Sequence, residues 1–105
     1  MAEDSVELAR SEWEDAHRRL EAERVDRALY RRRLAQIDLV SDGLRRHVGG
    51  TYSLSDLVRA YGEAERWARE LIEERAPGPG WPRDLALVVG AAFHAYQRGA
   101  LDYTP

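Results

Sequence analysis

The fold turns on how residues 20–30, LEAERVDRALY, are read. They lie in the middle of a long segment, from about Asp4 to His47, that no proline interrupts. Laid on a heptad, one seam through this segment reads Val6, Ala9, Trp13, Ala16, Leu20, Glu23, Arg27, Tyr30, Leu34, Ile37, Ser41, Leu44 and Val48. Ten of those thirteen positions are apolar and alternate in spacing between three and four residues, the pattern of a helix that packs along its length. The weak points are Glu23 with Arg27, two consecutive polar members of the seam, and the triplet Ser41-Asp42-Gly43. Glu23 and Arg27 form a favourable i,i+4 pair, so the primary expectation is one continuous helix over about 4–47. The alternative is a break near Glu23 or at Ser41-Asp42-Gly43 that folds the N-terminal part back to make four helices.

Outward from this segment the boundaries are marked by chemistry. Gly49-Gly50 stops the long helix, since glycine adopts the left-handed cap conformation without strain. A second helix opens at Ser53, a good N-cap, with Asp56 placing a carboxylate near its positive end. Its stripe is Leu54, Leu57, Val58, Tyr61, Ala64, Ala68, Leu71 and Ile72, and it ends near Arg75 before APGPGWP, residues 76–82. A third helix over about 82–98 starts at Pro82 and is capped by Gly99. From Leu85 to Tyr96 it has almost no polar face, which marks a buried helix. The tail ALDYTP reads as extended.

Length arithmetic then makes a prediction about surface. The three helices span about 65, 33 and 25 Å at 1.5 Å per residue. A tight turn at Gly49-Gly50 makes the first two an antiparallel hairpin, which sets Arg31 near Glu70 and Arg27 near Glu74. The expected architecture is therefore all-α, a single domain built as a three-helix bundle whose first helix overhangs. Val6, Ala9, Trp13, Ala16 and Leu20 are left on that overhang without a partner in the chain.

Composition bounds the function classes. The 105 residues are 44% hydrophobic and 33% charged, enough to build one packed core and too apolar for a disordered chain. A net charge of −3 gives no global attraction to nucleic acid or to anionic lipid. There is no cysteine, which excludes disulfides, thiolate metal ligands and thiol catalysis. The acidic N-terminus has no apolar signal core, and the longest apolar run, LALVV at 85–89, is too short for a membrane span. These features point to a soluble cytoplasmic protein. All 16 cations are arginine, a pattern that suits high-GC bacterial coding.

Three constellations carry candidate chemistry. Glu14 and His17 match E-x-x-H, the spacing of di-iron helical proteins; with no second copy in the chain, a site would need a homodimer and a glutamate such as Glu63 or Glu70. Glu70, Glu73 and Glu74 resemble the E-x-x-E helices of nucleotide pyrophosphohydrolases, but helix three supplies only Asp84 as a further acid; pairing with helix-one arginines is the plainer reading. The serines have no histidine and acid in a triad context, His94 sits in the most apolar helix, and no phosphate-binding glycine loop is present.

Charge is more informative. Residues 16–33 carry seven arginines against three acids, while residues 1–15 hold six acids and one arginine. Arg10, His17, Arg24, Arg31 and Arg45 share one heptad position beside the seam. Within YRRRLAQID, residues 30–38, Arg32 and Gln36 have the spacing of the E-x3-S-x2-R-x3-Q-x3-D motif. This resembles the arginine-rich helix of small bacterial anti-sigma proteins that bind cyclic di-GMP. Val25, Leu29 and Val40 stand where that motif has glutamate, serine and aspartate. The resemblance implies a transcription-associated regulator.

The expectation is a non-catalytic helical interaction module, without cofactor or metal, binding a protein partner or a second copy. Its partner-binding residues would be Val6, Trp13 and Leu20 on the seam, with Arg10, Arg24 and Arg31 beside them. The alternatives are a nucleic-acid or nucleotide-binding regulator using the arginine-rich stretch 18–33, and a di-metal protein using Glu14 and His17.

Overall fold

The computed structural model describes residues 2–75 and 83–100, with side chains described from Ser5 onward. Among the described residues the fold is all-helical: α1 is Ala2–Ala22, α2 Arg27–Val48, α3 Leu54–Arg75 and α4 Leu85–Gln97. A single turn of 3-10 helix, Glu23–Val25, forms an elbow between α1 and α2. The expected single helix over 4–47 is thus two helices, and the expected three-helix bundle with an overhang is a four-helix arrangement. The helix expected from Pro82 begins instead at Leu85, after a turn at Arg83–Asp84, while the predicted linker 76–82 and the tail 101–105 lie outside the described residues.

The break falls in LEAERVDRALY, and its cause is local and tertiary together. Asp26 leaves the helical region, at φ −101° and ψ 98°, and becomes the N-cap of α2. Its carboxylate accepts the Leu29 amide at 3.1 Å, and its carbonyl accepts the Tyr30 amide at 2.9 Å. Aspartate is among the strongest N-caps, so much of the hydrogen bonding lost at the break is recovered on the spot. Folding back then takes Trp13 to 0% exposure and Leu20 to 6%. Each such burial contributes about 1.5–3 kcal/mol, more than one interrupted helical turn costs. The molecule measures 42 × 26 × 22 Å, too short to hold a rod of about 65 Å.

Arg33 pins the elbow. Its Nε donates to Glu23 Oε1 at 2.7 Å and its Nη2 to Glu23 Oε2 at 3.2 Å, while Nη1 lies 2.7 Å from Asp84 Oδ2. One buried guanidinium therefore ties the elbow, α2 and the start of α4 together through a bidentate fork and a second carboxylate. The bonds from Glu23 outweigh desolvation and hold its proton more firmly than usual.

The core lies around α4, which packs against all three other helices and most extensively against α1. Trp13, Val40, Leu44, Leu57, Ile72, Val88 and Phe93 are fully buried, as is the polar Gln36. Trp13 lies between the Phe93 ring, stacked at 5.5 Å, and the Tyr61 ring, edge-on at 5.5 Å. Gly90 permits the α1–α4 crossing, since a Cβ there would stand 2.5 Å from the Ala16 Cβ. Ser41-Asp42-Gly43 is not a break; α2 runs through it, and Gly43 is needed because a Cβ would meet Trp67 Cζ3 at 2.7 Å.

The boundaries expected at Gly49 and Ser53 appear where the sequence places them. Gly49 takes a positive φ of 77° at the end of α2. Ser53 and Asp56 make a reciprocal capping box at α3: Asp56 Oδ2 accepts the Ser53 amide at 2.9 Å, and Ser53 Oγ accepts the Asp56 amide at 3.2 Å. Among the described residues no helix is long and apolar enough to cross a membrane.

Candidate interaction surface

The fold divides the predicted partner-binding residues into two groups. Trp13 and Leu20 are core, and Val6 is half-buried near the start of α1, so in this fold the seam is occupied by the chain itself. The physical reason is the elbow, which turns the seam of α1 onto α4. Arg10, Arg24 and Arg31 remain exposed. Arg10 Nε donates to Gln97 Oε1 at 3.3 Å across the α1–α4 junction. Arg24 Nη1 lies 3.1 Å from Glu21 Oε2, and its guanidinium sits 5.7 Å from the Tyr30 ring centroid, a cation–π contact. Arg31 makes no ion pair among the described residues, and neither do Arg27 and Arg32. The pairs expected between Arg31 and Glu70 and between Arg27 and Glu74 are not formed; all four side chains are exposed.

These unpaired arginines share a face with apolar side chains. In α2 the positions Arg27, Arg31, Leu34 and Asp38 recur at i,i+3 and i,i+4, a single outward stripe, with Arg32 half-buried beside it. Leu34, read in the sequence as a seam residue, is 39% exposed on this stripe. Val25, at the elbow two residues before Arg27, is 93% exposed. Of the three exposed large apolar residues among those described, only Leu8 on α1 lies elsewhere. Sequence reading missed Val25, whose one signal was an apolar residue set among charges in ERVDR, and placed Arg33 in the basic stretch although it is buried as the elbow pin.

The other candidate constellations have local partners. His17 stacks on His94 at 4.2 Å and 10° and lies 3.8 Å from Glu21, while Glu14 lies 3.8 Å from Arg18. No group of three or more metal-capable side chains converges among the described residues. Glu63 and Glu70 line an open groove of about 540 Å³ along α3 with Gly62, Glu65, Arg66 and Arg69, a mixed-charge surface. Comparison with protein-family models, curated proteins and solved structures returned no match.

Proposed function

We propose that this chain is a non-catalytic helical interaction module that takes an acidic helix or edge of another protein on the elbow and outer face of α2. The observation that carries the reading is the combination on one stripe of α2, Arg27 and Arg31 without ion pairs beside the exposed Leu34, with the exposed Val25 two residues before Arg27 at the elbow. An exposed apolar residue alone is ordinary surface. Beside uncompensated guanidinium groups it offers the mixture that protein partners use, an apolar anchor with a charged rim that sets orientation and association rate. Arginine is also enriched among residues that dominate binding energy. The arginine stripe is short, and the exposed part of α1 carries Glu7, Glu12, Glu14 and Asp15, which disfavours a polyanion lying along the whole molecule.

The test is affinity purification from the native host with mass spectrometry, comparing wild type with Arg27→Glu/Arg31→Glu/Leu34→Ser and with the control Leu8→Ser. A partner retained by wild type and by Leu8→Ser, and lost from the triple variant, is the expected result. Retention of that partner by the triple variant would sink the reading. Binding to mixed DNA or RNA at low salt that disappears with the same substitutions would replace it with nucleic-acid recognition.

A further inference from the structure

We propose that α1 is an exchangeable element: the elbow at Glu23–Asp26 can straighten, and α1 of one copy then packs on α4 of a second copy in a domain-swapped dimer. Three observations lead there. First, the seam keeps its alternating spacing through the elbow, from Leu20 by way of Glu23 and Arg27 to Tyr30, and LEAERVDRALY contains neither glycine nor proline. A straight helix is therefore sterically and rhythmically available to the same residues. Second, the closed form departs from α geometry very little. Ala22 is helical at φ −66° and ψ −22°, Glu23–Val25 are 3-10, and Asp26 alone is extended. Straightening is in essence a rotation of the Asp26 ψ angle, from 98° to about −42°.

Third, nearly every contact of α1 survives the exchange. The Trp13–Phe93 stack and the Ala16–Gly90 crossing are made equally well by α1 of the other copy. The contacts that distinguish the two forms lie at the elbow. The Glu23–Arg33 fork exists only when the chain is bent, because ten residues of straight helix separate its ends by about 15 Å. The Asp26 cap on Leu29 is likewise a property of the bend. The straight form gains continuous helix hydrogen bonds and an i,i+4 pair between Glu23 and Arg27. Glu23, Asp26 and Arg33 thus act as a latch that holds the monomer closed.

The experiment removes the latch and follows which copy α1 packs on. Glu23→Ala/Asp26→Ala puts good helix formers at both positions, and a dimer has two elbows, so the dimerisation constant should rise about 10³-fold. The matched control is Asp26→Gly, which keeps N-cap capacity and weakens a straight helix; it should stay monomeric. Because the chain has no cysteine, Arg10→Cys and Gln97→Cys, which replace side chains in contact across α1 and α4, can be placed on separate copies. A short bismaleimide should then join the two chains only when α1 is exchanged. The expected result is a dimer by light scattering that yields this interchain product. A latchless chain that stays monomeric at millimolar concentration, or a dimer without the interchain product, overturns the proposal. Should the double variant fail to fold, Glu23→Gln alone, which weakens the fork to Arg33 and keeps the Asp26 cap, is carried by the two single-cysteine chains and co-refolded. Interchain product above the wild-type level supports exchange, and a level no higher than wild type at millimolar concentration overturns it.

Discussion

At the scale of single residues, the position of a side chain in the pattern says less than the partner it meets. Leu34 and Trp13 occupy equivalent places on the heptad seam, yet one is 39% exposed and the other is 0% exposed. Arg33 is one of seven arginines in a basic stretch, and only the approach of Glu23 and Asp84 makes it a structural pin. His94 shows the same dependence and gives a pH prediction. Burial first, then the neighbouring His17 and Arg98, push its imidazole below the ordinary value, with Glu14 opposing. The unfolded chain, titrating near pH 6.5, therefore binds this proton more readily than the folded chain. Stability is greatest above about pH 6.5 and falls as the pH drops from there toward the lower folded value. Urea midpoints measured at about pH 7.5 and pH 5 should show the decline, and His94→Gln should flatten it. An unchanged step in His94→Gln would assign the dependence to other groups.

At the scale of elements, helix boundaries were written in local chemistry and helix neighbours were not. The capping box of α3, the positive φ of Gly49 and the burial of α4 all follow from residues within a few positions of one another. The pairing of α1 with α4 depends on two small residues 74 positions apart, Ala16 and Gly90, whose fit no local pattern reveals. That crossing makes a compensation prediction. Gly90→Ala should improve helix propensity by about 1 kcal/mol and still destabilise the fold, by about 1–3 kcal/mol, because the added methyl meets the Ala16 Cβ at 2.5 Å. Ala16→Gly in the same chain should restore most of the loss. Denaturant unfolding of the two single variants and the double variant measures the coupling, and additive effects would mean that the helices do not cross there.

At the scale of the whole molecule, the two architectures differ most sharply in what α1 is for. An overhang could be removed without harm, whereas here α1 is the cover of α4. Deleting residues 1–22 uncovers the face of α4 at Gly90 and Phe93, against which Ala16 and Trp13 pack. The truncated chain should lose cooperative thermal unfolding or aggregate; a cooperative melt close to that of the full chain would contradict the four-helix core. The sequence alone determined that the chain is all-helical, where α3 begins and ends, and which stripes are apolar. Those properties rest on hydrogen bonds, caps and periodicities confined to one helix. It also marked the elbow as a weak point without deciding it, because Glu23 and Arg27 suit a straight helix and a bent one almost equally. Only the tertiary structure decided that point, through the burial of Trp13 and Leu20 on α4 and the reach of Arg33 to both Glu23 and Asp84. With the bend came the candidate surface: turning the α1 seam inward moved the exposed apolar and basic residues from the first helix to the elbow and the outer face of α2. A difference of a few kcal/mol between burying one tryptophan face and continuing one helical turn separates the two forms, and that balance is set by contacts between residues far apart in the chain.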